Sequence, residues 1–384
     1  MQIPRKILVT LLTRADQYPV VTVTGPRQSG KTTLCRSAFP TKAYVNLEQP
    51  NVRAFAESDP VGFLNQYPTG AVIDEVQRVP ELLSYIQVQV DQSETAGQFI
   101  LTGSHQFDLM AAISQSLAGR TALLQLLPLS IGELRSGNMY SSTDRLIFSG
   151  GYPRIHANQL DPSITLSDYF QTYVERDLRQ LIELRQLDSF RRFMGLAAGR
   201  VGQVLNLHSL ASDAGVSDPT AKQWMSVLSA SYIVYLLPPW HGNVGKRLTK
   251  SPKLYFCDVG LASHLLGINH SSQLQNYPLR GNLFENLVVM EFVKNAFNQG
   301  ERARLHFWRD SNGTEVDLLV ENGVEPGTVG LVEIKSSQTF QSSHVSTLHR
   351  VSLLHGLIAS RKMLVNDSTD HYTREGVEVV GLQH

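Results

Sequence analysis

The sequence predicts an α/β fold. A parallel-sheet domain comes first, then a helical middle closing on a two-helix and ribbon unit, then a second α/β domain. Three observations predict it. Short apolar runs alternate with helix-length segments up to residue 131. A helix, tight turn, helix and strand pattern occupies residues 207–237. Beyond residue 282 a helix leads into three further strand-like runs. At 384 residues the chain is too long for one ordinary core, and 42% apolar with 18% charged residues is a globular composition. The unit boundaries that follow are 1–131, 132–200, 201–265 and 266–384.

The N-terminal runs are 19–24, 43–47, 71–73, 99–101 and 121–127. Each is short, β-branched or aromatic, and bounded by polar or turn residues, which suits a mostly parallel sheet. Directly after the first run stands Gly25-Pro26-Arg27-Gln28-Ser29-Gly30-Lys31-Thr32, followed by Thr33. It fits G-x-x-x-x-G-K-[ST] at every defined position. The glycines let the backbone curl so that N–H groups face phosphate oxygens, and the following helix adds its N-terminal partial charge. Lys31 offers a point charge to the β- and γ-phosphates, and Thr32 a hydroxyl to Mg2+. The expected ligands are therefore ATP and magnesium.

The third run ends in Asp74-Glu75. Ligands of parallel sheets bind at the carboxyl ends of strands. Asp74 can then hold the Mg2+, and Glu75 can orient or deprotonate an attacking water. Nucleotide binding alone needs no base, so Glu75 argues for hydrolysis. The fourth run ends in Thr102-Gly103-Ser104. Either hydroxyl can reach the γ-phosphate or the water, with Ser104 nearer the expected strand tip. Arg120 precedes the fifth run. It can reach a neighbouring subunit's nucleotide and stabilise transition-state charge there, which makes a homo-oligomer expected; a surface arginine is the alternative.

This order of parts resembles the AAA+ ATPases. More narrowly, it resembles a group of prokaryotic AAA+ proteins with a C-terminal domain of unknown function. The phrases GPRQSGKT, AVIDEVQRVPELL, FILTGS, SLAGR and GGYPR carry the likeness, over nearly the whole chain. The resemblance implies a sensor arginine at Arg154, although Gly150-Gly151-Tyr152-Pro153 equally reads as a helix terminator. Residues 132–200 read as helices, a lid and a connector.

Residues 207–214, the turn Gly215-Val216-Ser217 and a helix from Asp218-Pro219 to about Ala230 make a helix-turn-helix, with Ser217 or Asp218 as cap. A strand at 233–237 and the basic run 246–253 complete a winged pattern. Thr220, Lys222 and Gln223 would face base edges, and the basic run would rest on phosphates. Such modules also dock proteins, and the second helix carries one basic residue, so DNA or RNA and a protein partner both stay open.

In the C-terminal part, a helix at 282–298 carries Glu285, and strands at 306–309, 315–320 and 330–335 follow. Asp317 and Glu333-Ile334-Lys335 fall on neighbouring strands, and residues two apart share a face. Two carboxylates and a lysine on one face are costly unless metal or substrate uses them. Asp317 and Glu333 can bind Mg2+ or Mn2+, Lys335 can position water, and Glu285 can add a carboxylate. The arrangement resembles the restriction-endonuclease-like fold with its PD-(D/E)-x-K signature, which implies phosphodiester hydrolysis. Val316 stands where that signature has proline, and a salt-bridged remnant or docking domain is the alternative.

Lys plus Arg equals Asp plus Glu at 34 each, so nucleic-acid binding would need a local patch. Cys35 and Cys257 are far apart and read as reduced, mostly buried thiols of a cytoplasmic protein. No apolar run is long enough for a membrane span, and the N-terminus has no signal-peptide pattern. Two functional readings follow: an ATPase that acts on nucleic acid and cuts it through the C-terminal domain, or a nucleotide-dependent switch or scaffold for a protein partner.

Overall fold

The computed structural model describes residues 3–383 except 94, 105–111, 114, 175–186, 241–250, 311, 322–326 and 354–356. Five strands form an all-parallel sheet: β1 (Val20–Thr24), β2 (Ala43–Asn46), β3 (Ala71–Asp74), β4 (Phe99–Gly103) and β5 (Thr121–Gln125). Their order is β2-β3-β4-β1-β5. Helices α1 (Leu8–Ala15) and α2 (Lys31–Ala38) cover one face, over Val21, Val23, Val72 and Ile100. Helices α3 (Pro50–Ser58), α4 (Pro60–Asn65) and α5 (Leu82–Ser93) cover the other, over Val20, Ile73, Phe99 and Leu101. Burial on both faces is why these strands read as continuous apolar runs. The strand order matters for the site: β4 lies between β1 and β3, so its tip stands between the phosphate loop and the acid pair.

Short helices follow: α6 (Ile131–Ser136), α7 (Thr143–Ser149), α8 (Pro153–Ala157), α9 (Pro162–Tyr169) and α10 (Leu187–Ala198). Ser130 and Glu133 form a reciprocal capping box on α6, satisfying donors that an open helix end would leave unpaired. Next come α11 (Leu207–Ala214) and α12 (Asp218–Ala230), with Gly215 in the left-handed conformation between them. The cap of α12 is Ser217, whose Oγ accepts from Thr220 N at 3.3 Å. Trp224 of α12 meets Phe190 and Phe193 of α10 edge-on, ring centroids 5.3 Å apart in each pair. Strands β6 (Val234–Leu237) and β7 (Lys253–Phe256) pair antiparallel. Lys246, Arg247 and Lys250 of the expected wing lie outside the described residues.

After α13 (Val259–Leu265), the long α14 (Arg280–Asn298) begins the C-terminal part. Its sheet contains β8 (Leu305–Arg309), β9 (Glu315–Glu321), β10 (Thr328–Lys335), β11 (Ile358–Asn366), β12 (His371–Arg374) and β13 (Val377–Gly381). The order is β12-β13-β11-β10-β9-β8, with parallel pairs in the centre and antiparallel pairs at both sides. Helix α14 packs over Leu318, Val332 and Ile334, and α15 (Ser342–Val351) over Val329, Leu331 and Leu364.

The first and last parts are tied directly. Lys294 Nζ on α14 donates to Leu129 O at 2.9 Å, and Ile131 N donates to Glu291 Oε2 at 2.8 Å. Thr10 Oγ1 on α1 donates to Asn298 O at 2.6 Å. The Tyr232 hydroxyl, between α12 and β6, lies 2.8 Å from Thr24 Oγ1 at the end of β1. Both cysteines are buried and free, as read from the sequence, and burial pushes the Cys35 thiol up to about 12. Among the described residues no helix is long and apolar enough to cross a membrane.

Candidate functional site

Between β1 and α2 the chain turns through Gly25 and Gly30, both at positive φ. A Cβ on Gly25 would fall 2.1 Å from Leu126 O, so only glycine fits against that backbone. Lys31 is buried, and its Nζ donates to Gly25 O and Pro26 O, each at 2.9 Å. Burial drops its pKa to about 8, opposed by the nearby Glu75 and Asp74 carboxylates. Ser29 Oγ is buried in the same loop without a hydrogen-bond partner among the described residues. An orphaned hydroxyl there is a vacancy in the loop's hydrogen bonding that a phosphate oxygen can fill.

Asp74 closes β3 and gathers hydroxyls. Thr32 Oγ1 donates to its Oδ2 at 2.9 Å, Tyr44 Oη donates to it at 2.8 Å, and Thr102 Oγ1 donates to Oδ1. Glu75 follows in the left-handed region at φ 57°, a strained setting for a non-glycine residue, costing on the order of 1–3 kcal/mol. That turn carries the Glu75 carboxylate toward the tip of β4. Ser104 Oγ donates to Glu75 Oε2 at 3.2 Å, and Gln77 Nε2 donates to the same oxygen. Of the two hydroxyls read from the sequence, Thr102 meets Asp74 and Ser104 meets Glu75.

A cavity of about 730 Å³ opens beside these groups, lined by Gly30, Lys31, Thr32, Thr33 and Glu75 among others. Its far wall is apolar, with Ile3, Leu8, Leu129 and Ala157, and the exposed Arg154 stands at its edge. Arg5 also lines it and had no sequence signal. Its guanidinium donates to Ser29 O and Leu127 O, both at 2.6 Å, and pairs with Glu133 at 3.0 Å. Arg27 pairs with Glu48 at 3.7 Å. Arg120 lies apart from the cavity, its Nη2 donating to Asp91 Oδ2 at 2.8 Å.

The C-terminal charges converge as expected in part. Lys335 Nζ lies 2.6 Å from Glu333 Oε1 and 4.0 Å from Asp317 Oδ2, and Ile334 N donates to Asp317 Oδ2 at 2.8 Å. Burial, then the Asp317 charge, raises the Glu333 pKa, and Glu333 Oε2 has no partner among the described residues. Glu285 stands beside Asp317, with carboxylate oxygens of Glu285, Asp317 and Glu315 within 4.8 Å of one another, and it accepts from Lys253 Nζ at 2.7 Å and Tyr255 Oη at 2.6 Å. Glu315, absent from the sequence reading, also accepts from Lys253. The end of the basic run must therefore be corrected. Lys253 is only 2% exposed, so its charge is spent inside the protein and cannot rest on phosphates.

A five-stranded parallel sheet with a phosphate loop after its first strand and an acid pair on its third defines an AAA-type P-loop ATPase domain, and the AAA domain family matches residues 17–135. The chain belongs to the same family as the uncharacterized protein Rv2008c of Mycobacterium tuberculosis and its counterpart Mb2031c in Mycobacterium bovis. It is 34% identical to each over 330 residues, covering 85% of this chain and 73% of the relative. Two families described as domains of unknown function match residues 140–272 (DUF8612) and 280–384 (DUF4143). Among solved structures, the Walker-type ATPase PABY2304 of Pyrococcus abyssi is similar at 14% identity and TM-score 0.45, over 69% of this chain and 96% of that one. RuvB of Thermotoga maritima is similar at 20% identity and TM-score 0.30, over 61% and 88%.

A nucleotide held by Lys31 would bind in a pH-dependent way. Triphosphate beside its ammonium restores the charged form that burial disfavours. Binding then takes up a proton between about 8 and the ordinary lysine value of 10.5, and affinity falls as pH rises through that window. Calorimetric titration with ATP in buffers of different ionisation enthalpy measures the uptake; none at pH 9 would contradict it.

Proposed function

We propose that the chain binds ATP with Mg2+ at residues 25–33 and hydrolyses it, with Glu75 as the base for the attacking water. The observation that carries this reading is the pair of acids at the end of β3: Asp74 hydrogen-bonded to Thr32, and Glu75 held by Ser104 and Gln77 at the cavity wall. Thr32 and Asp74 are close enough to share one cation and would hold Mg2+, which supplies charge neutralisation at the β- and γ-phosphates. Lys31 swings from the loop carbonyls onto the phosphates. Ser104 fixes the Glu75 carboxylate so that one oxygen stays free to take a proton from water. Arg154 at the cavity edge acts as the sensor arginine, and Arg120 reaches a neighbouring subunit in a homo-oligomer.

Nucleic acid is the proposed substrate of the turnover, through α11, α12 and the β6–β7 ribbon as a winged helix, with Lys222 and Gln223 exposed on α12. The C-terminal domain, read as restriction-endonuclease-like, would bind a divalent cation at Asp317 and Glu333 with Lys335 beside it; the unpartnered Glu333 Oε2 favours this. A protein-docking switch is the second reading, favoured by the burial of Lys253 and by an acidic residue, Asp218, four positions before Lys222 on α12. ATP turnover measured with and without DNA and RNA separates them. Stimulation, with metal-dependent cleavage lost in Asp317→Ala, supports the first; no response to several nucleic acids supports the second.

A further inference from the structure

Tyr44 reaches Asp74 from the neighbouring edge strand. In the β2–β3 register Asn46 stands level with Asp74 and Tyr44 level with Val72, so Tyr44 crosses diagonally. An aromatic side chain is long enough for that span, and the Tyr44 Oη donates to Asp74 Oδ2 at 2.8 Å. From the opposite side Thr102 of β4 donates to Oδ1. Strands β2 and β4 flank β3 in the sheet, so the carboxylate is braced from both neighbours. Asp74 is 3% exposed, and Thr32 Oγ1 closes its front at 2.9 Å from Oδ2.

The ring is held as well as the hydroxyl. The Arg36 guanidinium carbon lies 4.6 Å from the Tyr44 ring centroid, a cation–π contact. Arg36 follows Thr32 by four residues on α2, so both project from one side of that helix. Helix α2 thus presents a hydroxyl to Asp74 and a guanidinium to the tyrosine that steers Asp74. Tyr44 is not among the described residues that line the cavity beside Lys31 and Glu75, so it acts on a nucleotide there only through Asp74.

We propose that Tyr44 is a positioning residue for the metal: its hydroxyl fixes the Asp74 carboxylate in the orientation in which Thr32 and Asp74 together hold Mg2+. This role rests on the reading of Thr32 and Asp74 as the Mg2+ residues under the proposed function. A carboxyl group turns about a single bond unless its oxygens are held. Thr102 pins one oxygen, and the Tyr44 bond pins the other and sets the plane. A partner that orients a metal-binding group in this way is worth roughly 10–100-fold in metal affinity. The loop contacts of Lys31 do not pass through Tyr44, so a nucleotide without metal should not sense the hydroxyl.

Tyr44→Phe removes the hydroxyl and keeps the ring on Arg36, so the fold should be retained. The affinity of the full chain for a fluorescent, slowly hydrolysed ATP analogue is measured first in EDTA, and Mg2+ is then titrated into the stoichiometric complex. The variant should match the parent in EDTA and need roughly 10-fold or more extra Mg2+ to reach its half-point. Mn2+ titrated in the same way, followed by the resonance signal of the free ion, should show the same loss. A merely structural fault would weaken the EDTA affinity and the metal half-point alike, and that result overturns the proposal. An unchanged half-point, or a lower one, overturns it too. Thr32→Ala separates the role of Tyr44 from the reading beneath it. If Thr32→Ala loses the Mg2+ response and Tyr44→Phe keeps the parent's half-point, the tyrosine's role alone falls. If Thr32→Ala keeps the parent's response, the metal is held elsewhere and both fall.

Discussion

Glu75→Gln should bind ATP as tightly as the parent chain and turn it over about 10²–10⁴-fold more slowly, the range over which a positioned general base contributes. The substitution keeps size and shape. Ser104 can still donate to the amide oxygen at that position, so the side chain keeps its direction. The left-handed backbone at residue 75 is no harder for Gln than for Glu. What disappears is the ability to take a proton. Binding stays because Lys31, Thr32 and Asp74 are untouched, and their hydrogen bonds do not pass through Glu75. Single-turnover hydrolysis and a fluorescent-nucleotide titration separate the two effects. Hydrolysis at the parent rate would move the base elsewhere and remove the reading built on Glu75.

Lys31→Ala should have the larger effect on affinity. Truncating one partner of a buried, hydrogen-bonded charge pair costs about 2–5 kcal/mol, or about 30- to several thousand-fold in Kd. Lys31 is 6% exposed and lines the cavity, so its charge is already withdrawn from water. The fold should survive, because the lysine bonds only to two carbonyls of its own loop. The expected result is a melting temperature close to the parent's, with ATP adding no stability at concentrations that shift the parent upward. A variant that still melts higher with ATP would place the nucleotide away from this loop.

Much of the candidate site was legible because its parts are local. A phosphate cradle needs consecutive backbone N–H groups, so residues 25–32 announce it in one stretch. Asp74 and Glu75 announce themselves by ending an apolar run. Glu333 and Lys335 were legible for a similar reason, since alternation along a strand puts residues two apart on one side. Arg5 and Tyr44 were not legible. Arg5, just ahead of α1, reaches the loop at Ser29 O, and Tyr44 reaches Asp74 because β2 lies beside β3; neither neighbour is near in sequence. Lys253 was misread for a related reason. In sequence it closes a basic run; its burial depends on carboxylates at 285, 315 and 317, which no local pattern pairs with it.

The ties between the two ends of the chain bear on how the protein is made. Domains near the N-terminus generally fold first as the chain leaves the ribosome. Here Thr24, just ahead of the phosphate loop, waits for Tyr232; Leu129 waits for Lys294, and Thr10 for Asn298. The nucleotide-binding sheet can collapse early, but it emerges with those partners still unsynthesised. Its final packing belongs to the last third of translation, so a nascent chain stalled before residue 280 would hold a sheet with no α14 to close it.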